Sequence, residues 1–370
     1  MSSKYEDELG LIVMDNCKSF GEKINQNIMQ RRSKKNSFII PTDLVRFNNG
    51  EGKAVIKDSV RDKDLYIISD IGNHSMTYKM YGYLNHMGPD EHFMDIKRVI
   101  SAARGQTDRL TVVMPLLYES RQHRRKGRES LDCALALQEL QNLGVNTIVT
   151  FDVHDPNIQN AVPTSMSFEN FYPTNTILRE FIKNEEFDPE NVKFISPDTG
   201  AMDRAKYYAN MFQADVGMFH KRRDYSKIVD GKNPIVAHNY LGGNLEGETA
   251  VVVDDMIASG TSMLEVAYDL KQRGAKKVFL ISTFSMFTNG LDGFNKAFSE
   301  GIFEKLYSTN LTYVDKDVLK TPWYKQIDCS NYASDIINTL NTSGSISELK
   351  NGKQKILTML ENKKRKELEL

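Results

Sequence analysis

Seven short apolar runs recur along the chain, at 11–14, 65–69, 110–115, 147–153, 192–196, 250–253 and 278–282. Most are rich in β-branched residues, as strands buried on both faces of a parallel sheet are. Between several of them lie amphipathic stretches that close on glycine. Within 131–143, Cys133, Ala136, Leu137 and Leu140 share one helical face ahead of Gly144. Ala205, Tyr208, Ala209 and Phe212 do the same within 203–212, and Met263, Val266, Ala267 and Leu270 do so within 263–273 ahead of Gly274. These stripes read as core packing. Strand, turn and helix in alternation specify an α/β fold with parallel sheets.

At 370 residues the chain is longer than one typical domain, so two domains of similar size are expected, each with its own core. The boundaries drawn from sequence are 1–165 and 166–335, with 336–370 as a terminal segment and charged helical extension. Beyond about residue 350 the chain turns Lys- and Glu-rich and reads as a solvated helix. The stretch 224–247 carries Gly231, Pro234, Gly242 and Gly243 without a clear period and reads as a long loop, a feature that in compact domains is usually functional or disordered.

Cys17, Cys133 and Cys329 lie far apart with no Cys-x-x-Cys pair, which argues against a disulfide framework or a thiolate metal site. Residues 1–10 are polar and acidic, and no apolar run approaches the ~20 residues a membrane span needs, so a cytoplasmic protein is expected. A net charge of −1 provides no global field for a polyanion. The basic clusters at 31–35 and 121–128 therefore need local explanations, and the second lacks the interleaved aromatics of a nucleic-acid surface.

The most specific pattern begins at Thr249. A buried strand runs into Asp254 and Asp255, then through Met256, Ile257, Ala258, Ser259, Gly260, Thr261 and Ser262 into an amphipathic helix. In open α/β sheets ligands sit beyond the carboxyl ends of the strands. A Gly/hydroxyl turn entering a helix presents N–H groups, hydroxyls and the positive dipole end to a phosphate. Two acids beside an anion cradle make sense when they bind the uncharged part of the same ligand or a cation, and a sugar phosphate meets both demands. The simpler reading is that the acids cap the helix.

This segment resembles the phosphoribosyl-diphosphate motif of type I phosphoribosyltransferases and ribose-phosphate pyrophosphokinases. The resemblance implies that the acids contact ribose hydroxyls and that the turn wraps the 5-phosphate. Ala258 stands where an Asp is common, and Thr261-Ser262 where Gly-Thr is frequent.

Five further segments, in order, carry the pyrophosphokinase resemblance. Arg46-Phe47-Asn48-Asn49-Gly50-Glu51 is similar to the family's Arg-Phe-x-Asp-Gly-Glu, with Asn49 in the Asp position; the likeness implies that Phe47, Asn49, Gly50 and Glu51 serve the ATP site and reach a neighbouring subunit's adenine. Arg121-Gln122-His123-Arg124 resembles Arg-Gln-Asp-Arg, in which the first two residues hold ATP. Asp152-Val153-His154 resembles Asp-Leu-His, which implies an Mg·ATP role for His154. Period-two alternation also sends Asp152 and His154 to one side. Ser196-Pro197-Asp198-Thr199-Gly200 resembles Ser-Pro-Asp-x-Gly, making Asp198 a candidate metal ligand with His154, while Asp203 could cap the next helix. Lys221-Arg222-Arg223 resembles the start of the family's catalytic loop and implies that Lys221 and Arg223 are catalytic, Arg223 also touching ribose 5-phosphate.

The resemblance covers nearly the whole chain. It implies two tandem type I phosphoribosyltransferase-like domains, each a twisted, mainly parallel sheet flanked by helices. The implied activity is a transferase of the kinase type that moves the β,γ-diphosphoryl group of ATP, with Mg²⁺, to C1 of ribose 5-phosphate. It yields phosphoribosyl diphosphate and AMP for nucleotide biosynthesis, in a homo-oligomer, commonly a hexamer. Two alternatives stay open: a catalytically silent regulatory subunit, and a phosphoribosyltransferase. The latter would share the Asp254–Ser262 segment but has no use for Arg121 and Gln122 or for Lys221 and Arg223.

Overall fold

The computed structural model describes residues 5–103, 105–125, 127–223, 235–350 and 352–368; for 221–223, 235–238, 348, 350 and 366–368 only the backbone is described. These residues form two compact units. One takes the described residues of Met1–Pro173, Asn310–Asp315 and Asp328–Asn351, and the other those of Thr174–Thr309, Lys316–Ile327 and Gly352–Leu370. The division thus falls eight residues past the 165/166 boundary drawn from sequence, and the terminal segment is shared between the units at 351/352.

The first unit holds nine strands: β1 (Leu9–Val13), β2 (Thr42–Arg46), β3 (Gly52–Ile56), β4 (Asp64–Ile68), β5 (Thr77–Met80), β6 (Tyr83–His86), β7 (Arg109–Val113), β8 (Thr147–Phe151) and β9 (Ser167–Phe171). A parallel sheet runs in the order β1-β4-β7-β8-β9. Every residue of β4 is buried, which is why its sequence is an apolar run and not an alternation. The helices Lys18–Arg31, Pro89–Ala103, Asp132–Asn142 and Ser330–Asn341 belong to this unit, and the first packs on the last. Two antiparallel hairpins, β2–β3 and β5–β6, stand apart from the sheet. Their tips are joined by the Tyr81 amide, which donates to the Asn48 carbonyl at 2.8 Å.

The second unit holds β10 (Val192–Ser196), β11 (Asp215–Arg223), β12 (Ile235–Leu241), β13 (Thr249–Ile257), β14 (Lys277–Ser285), β15 (Lys305–Thr309) and β16 (Tyr324–Ile327). Their order is β12-β11-β10-β13-β14-β15-β16, parallel throughout except for the antiparallel β12. Residues 235–241, read from sequence as part of a loop, therefore form an edge strand; residues 224–234 of that stretch lie outside the described residues. The expected core faces are present. Ala205, Tyr208, Ala209 and Phe212 are buried on Met202–Phe212, and Met263, Val266, Ala267 and Leu270 on Thr261–Gln272.

The terminal helix Lys353–Leu368 is less solvated than its composition suggests. Ile356 and Leu360 are buried, and the helix packs on Thr174–Asn184 and Met202–Phe212. Two apolar residues one turn apart suffice to seat a helix whose other faces are charged. Just before the edge strand β16, Trp323 is buried against Phe287, Phe294 and Phe303, stacking on Phe294 with ring centres 5.4 Å apart and donating its indole N–H to Asn295.

All three cysteines are free and buried. Among the described residues, no helix is long and apolar enough to cross a membrane.

Candidate functional site

In the second unit the site forms where β13 ends. Successive side chains of a strand face opposite ways, and here the Asp255 side chain is 2% exposed while that of Asp254 is 26% exposed. Only Asp254 of the two thus opens to solvent, although both acids were assigned to ribose from sequence. Arg204 Nη1 lies 3.8 Å from a carboxylate oxygen of each. Burial and the neighbouring Asp255 charge push Asp254 well above the usual carboxylate range; Arg204 opposes the shift and Asp198 adds to it.

The turn that follows is built around Gly260, whose φ of +82° and close packing against the Phe294 ring exclude a side chain. It caps the helix Thr261–Gln272, and the Ser259 and Thr261 hydroxyls approach to 3.3 Å. Backbone bonds from Met286 and Thr288 to the Ile257 and Ala258 carbonyls brace the turn from β14's side. Thr261 and Ser262 are exposed. The turn therefore offers hydroxyls and a helix N-terminus at the end of a buried strand, which is the chemistry of an anion cradle. A cleft of about 300 Å³ lies beside it, walled by Ser259, Thr261, Leu264, Glu265 and Phe294 among others.

Asp198 is exposed after β10, and its Oδ1 accepts from the Gly200 and Ala201 amides at 2.8 and 3.1 Å. It, and not Asp203, closes the turn into Met202–Phe212; the Asp203 side chain is 98% exposed and pairs with Lys206. Lys221 and Arg223 lie near the end of β11, opposite His238 and Ile235 of β12. Their side chains lie outside the described residues.

In the first unit, residues 47–51 turn β2 into β3. Phe47 is 45% exposed, with Lys53 Nζ 5.8 Å from its ring centre. Asn49 is occupied within the turn, donating to Glu51 Oε2 at 2.9 Å and accepting the Glu51 amide at 3.1 Å. Gly50 sits at φ +92°. Arg121 and Gln122 are exposed on the loop after β7, anchored by the Gln122 amide bond to the Glu119 carbonyl at 2.8 Å.

His154 follows β8 and is exposed, whereas Asp152 is 2% exposed. The expectation that both face one side fails because β8 ends at Phe151 and Asp152 takes φ +40°, which breaks the alternation. Sequence reasoning also passed over His123 as a mere departure. Its ring lies 5.5 Å from that of His154, and its Nε2 lies 3.1 Å from Asp155 Oδ2. No spacing rule links residues 31 positions apart, so only the fold reveals the pair.

Residues 9–144 match the model described as the N-terminal domain of ribose phosphate pyrophosphokinase, and residues 174–288 match the phosphoribosyl transferase domain. The chain belongs to the ribose-phosphate pyrophosphokinase family. The first match contains the Phe47–Glu51 turn, Arg121 and Gln122, and the second contains Asp198 and the Asp254–Ser262 turn. Among curated relatives, the ribose-phosphate pyrophosphokinase of Vibrio cholerae is 26% identical over 310 residues, covering 83% of this chain and 90% of that one. Ribose-phosphate pyrophosphokinase 2 of Schizosaccharomyces pombe is 28% identical over 309 residues, covering 83% and 88%. The crystal structure of phosphoribosylpyrophosphate synthetase from Mycobacterium smegmatis superposes with a TM-score of 0.74 at 19% identity. That match covers 91% of this chain and all of that one, and shows a common fold. The pyrophosphokinase fold class expected from sequence, two phosphoribosyltransferase-like α/β domains, is the one observed.

Proposed function

We propose that the protein transfers the β,γ-diphosphoryl group of ATP to the C1 hydroxyl of ribose 5-phosphate, releasing AMP and phosphoribosyl diphosphate. The observation that carries this reading is the Asp254–Ser262 turn, with one carboxylate open to solvent and a hydroxyl-rich helix N-terminus beyond it. It supports binding of a ligand that is a polyol at one end and a phosphate at the other. Ser259, Gly260, Thr261 and Ser262 cradle the 5-phosphate, with Ala258 shaping the turn and adding no charge. Asp254 accepts from ribose hydroxyls, and Asp255 holds Arg204 beneath it.

Arg121 and Gln122, with the Phe47–Glu51 turn, bind the nucleotide. The oxygen of the C1 hydroxyl attacks the β-phosphorus and gives up its proton to solvent, the bond from that phosphorus to the bridging α,β-oxygen breaks, and AMP leaves with that oxygen. Phosphoryl chemistry of this kind demands positioning and charge neutralisation more than covalent participation by side chains. Lys221 and Arg223 neutralise the transferred group.

The family resemblance implies Mg²⁺. Among the described residues no three His, Cys, Asp or Glu side chains converge as a metal cage, which fits a hard cation that draws most of its ligands from phosphate oxygens and water. His154 in the first unit and the exposed carboxylate of Asp198 in the second are each residues that would hold such a cation. When bound, Mg²⁺ would neutralise phosphate charge.

The test is incubation of the purified protein with ATP, Mg²⁺ and ribose 5-phosphate while AMP is followed by chromatography. AMP that forms only with the sugar, together with phosphoribosyl diphosphate, supports the reaction. Ribose 5-phosphate binding without AMP formation points to a silent subunit.

A further inference from the structure

We infer that His123 and His154 form a two-imidazole site for a borderline-soft divalent cation of the Zn²⁺, Co²⁺ or Ni²⁺ type. The inference rests on the nucleotide-site reading of His154 above but adds a ligand, His123, and a cation class to it.

Three observations converge on His123. Its side chain is nine-tenths buried, at 10% exposure. Its Nε2 lies 3.1 Å from Asp155 Oδ2, and a carboxylate there can only accept, so Nε2 carries the proton. In the neutral ring Nδ1 is then left with a lone pair, the form a metal ligand takes, and that atom is buried with no hydrogen-bond partner. An orphaned buried acceptor is destabilising unless something fills its coordination.

The carboxylate is itself fixed. Asp155 Oδ1 accepts from both the amide and the side-chain nitrogen of Asn157, each at 2.9 Å, which aims Oδ2 at the histidine. A histidine that donates one ring N–H to an anchored carboxylate, leaving the other nitrogen bare, has the arrangement that orients metal-binding imidazoles. Burial alone would leave a histidine with both nitrogens paired, as His92 is with Asn16 and Asn73.

The spacing of the second ring agrees. Two imidazoles on one cation at about 2.1 Å per bond, meeting at about 90–120°, have ring centres roughly 4.6–5.6 Å apart. The His123 and His154 centres are 5.5 Å apart, with the planes inclined at 57°. Two imidazole nitrogens favour Co²⁺, Ni²⁺ or Zn²⁺ over Mg²⁺, which prefers oxygen. Water or phosphate oxygens fill the remaining positions, since no third His, Cys, Asp or Glu among the described residues completes a cage.

The experiment titrates the full chain with Co²⁺, with and without ATP, by calorimetry and visible absorption. Binding of Co²⁺ that persists in a large excess of Mg²⁺ is expected, weakened at least ten-fold in His123→Ala. Asp155→Asn keeps both rings and removes only the anchored charge, and should weaken binding about 10–100-fold. Absence of Co²⁺ binding, or equal affinity in wild type and both variants, overturns the inference. If circular dichroism shows one variant unfolded, the other decides. Co²⁺ binding by a protein that forms no AMP would sink the reaction while leaving this site standing, and AMP formation without Co²⁺ binding would do the reverse.

Discussion

Asp70, at the end of β4, accepts the Thr312 hydroxyl at 2.9 Å, tying a segment 242 residues further along the chain into the first unit. The Tyr313 and Gly72 amides donate to the same carboxylate. Burial nevertheless dominates and pushes Asp70 up to about 6 from 3.8. The folded protein therefore holds a proton that the unfolded chain has lost. The stabilisation from this proton is fully present below about 3.8 and vanishes as pH rises through about 6, a span worth roughly 3 kcal/mol at most. Melting temperatures of wild type and Asp70→Asn, compared between pH 4 and 7, should differ by an amount that changes across this window. A constant difference would show that Asp70 does not titrate there.

Gly260→Ala forces a side chain into a left-handed conformation against the Phe294 ring. Stability should fall by about 2 kcal/mol in urea titration. In the AMP assay the KM for ribose 5-phosphate should rise more than that for ATP, because the distortion is confined to the turn proposed to cradle the sugar phosphate. An equal rise in both would separate the turn from the sugar site.

Arg204→Met keeps the bulk of a 9%-exposed side chain and deletes the charge facing Asp254 and Asp255. Leaving a buried carboxylate uncompensated costs about 3 kcal/mol. Chemical denaturation should read that loss at pH 7 and recover part of it at pH 5, where Asp254, already held high, takes up a proton more readily. A loss independent of pH would assign Arg204 a packing role alone.

Lys221→Ala and Arg223→Ala should each lower kcat about 10²–10³-fold with a smaller change in either KM, as expected for groups that meet charge on the transferred phosphoryl. Near-normal turnover in Lys221→Ala would remove it from the catalytic machinery.

Much of the parallel core was legible in advance because strands such as β4 and β13 are buried on both faces and write that burial into the chain as apolar runs. The β5–β6 hairpin was not, since its residues are exposed or half-exposed on both sides and no burial pattern marks them. β12 was hidden by the Gly and Pro residues around it. At the site, the Asp254–Ser262 turn was readable because strand, turn and helix are contiguous. Two placements depended on geometry that local patterns do not encode: the positive φ at Asp152, which separates it from His154, and the approach of His123 to His154.

Trp323 is the one tryptophan in the chain, and it stacks on Phe294, the ring that walls the turn at Gly260. Indole emission from this protein thus has a single origin, one ring away from the proposed cradle. A ligand that settles into the turn and shifts Phe294 should alter the light from Trp323, an optical gauge of occupancy readable without a label and on the timescale of a stopped-flow mixing experiment.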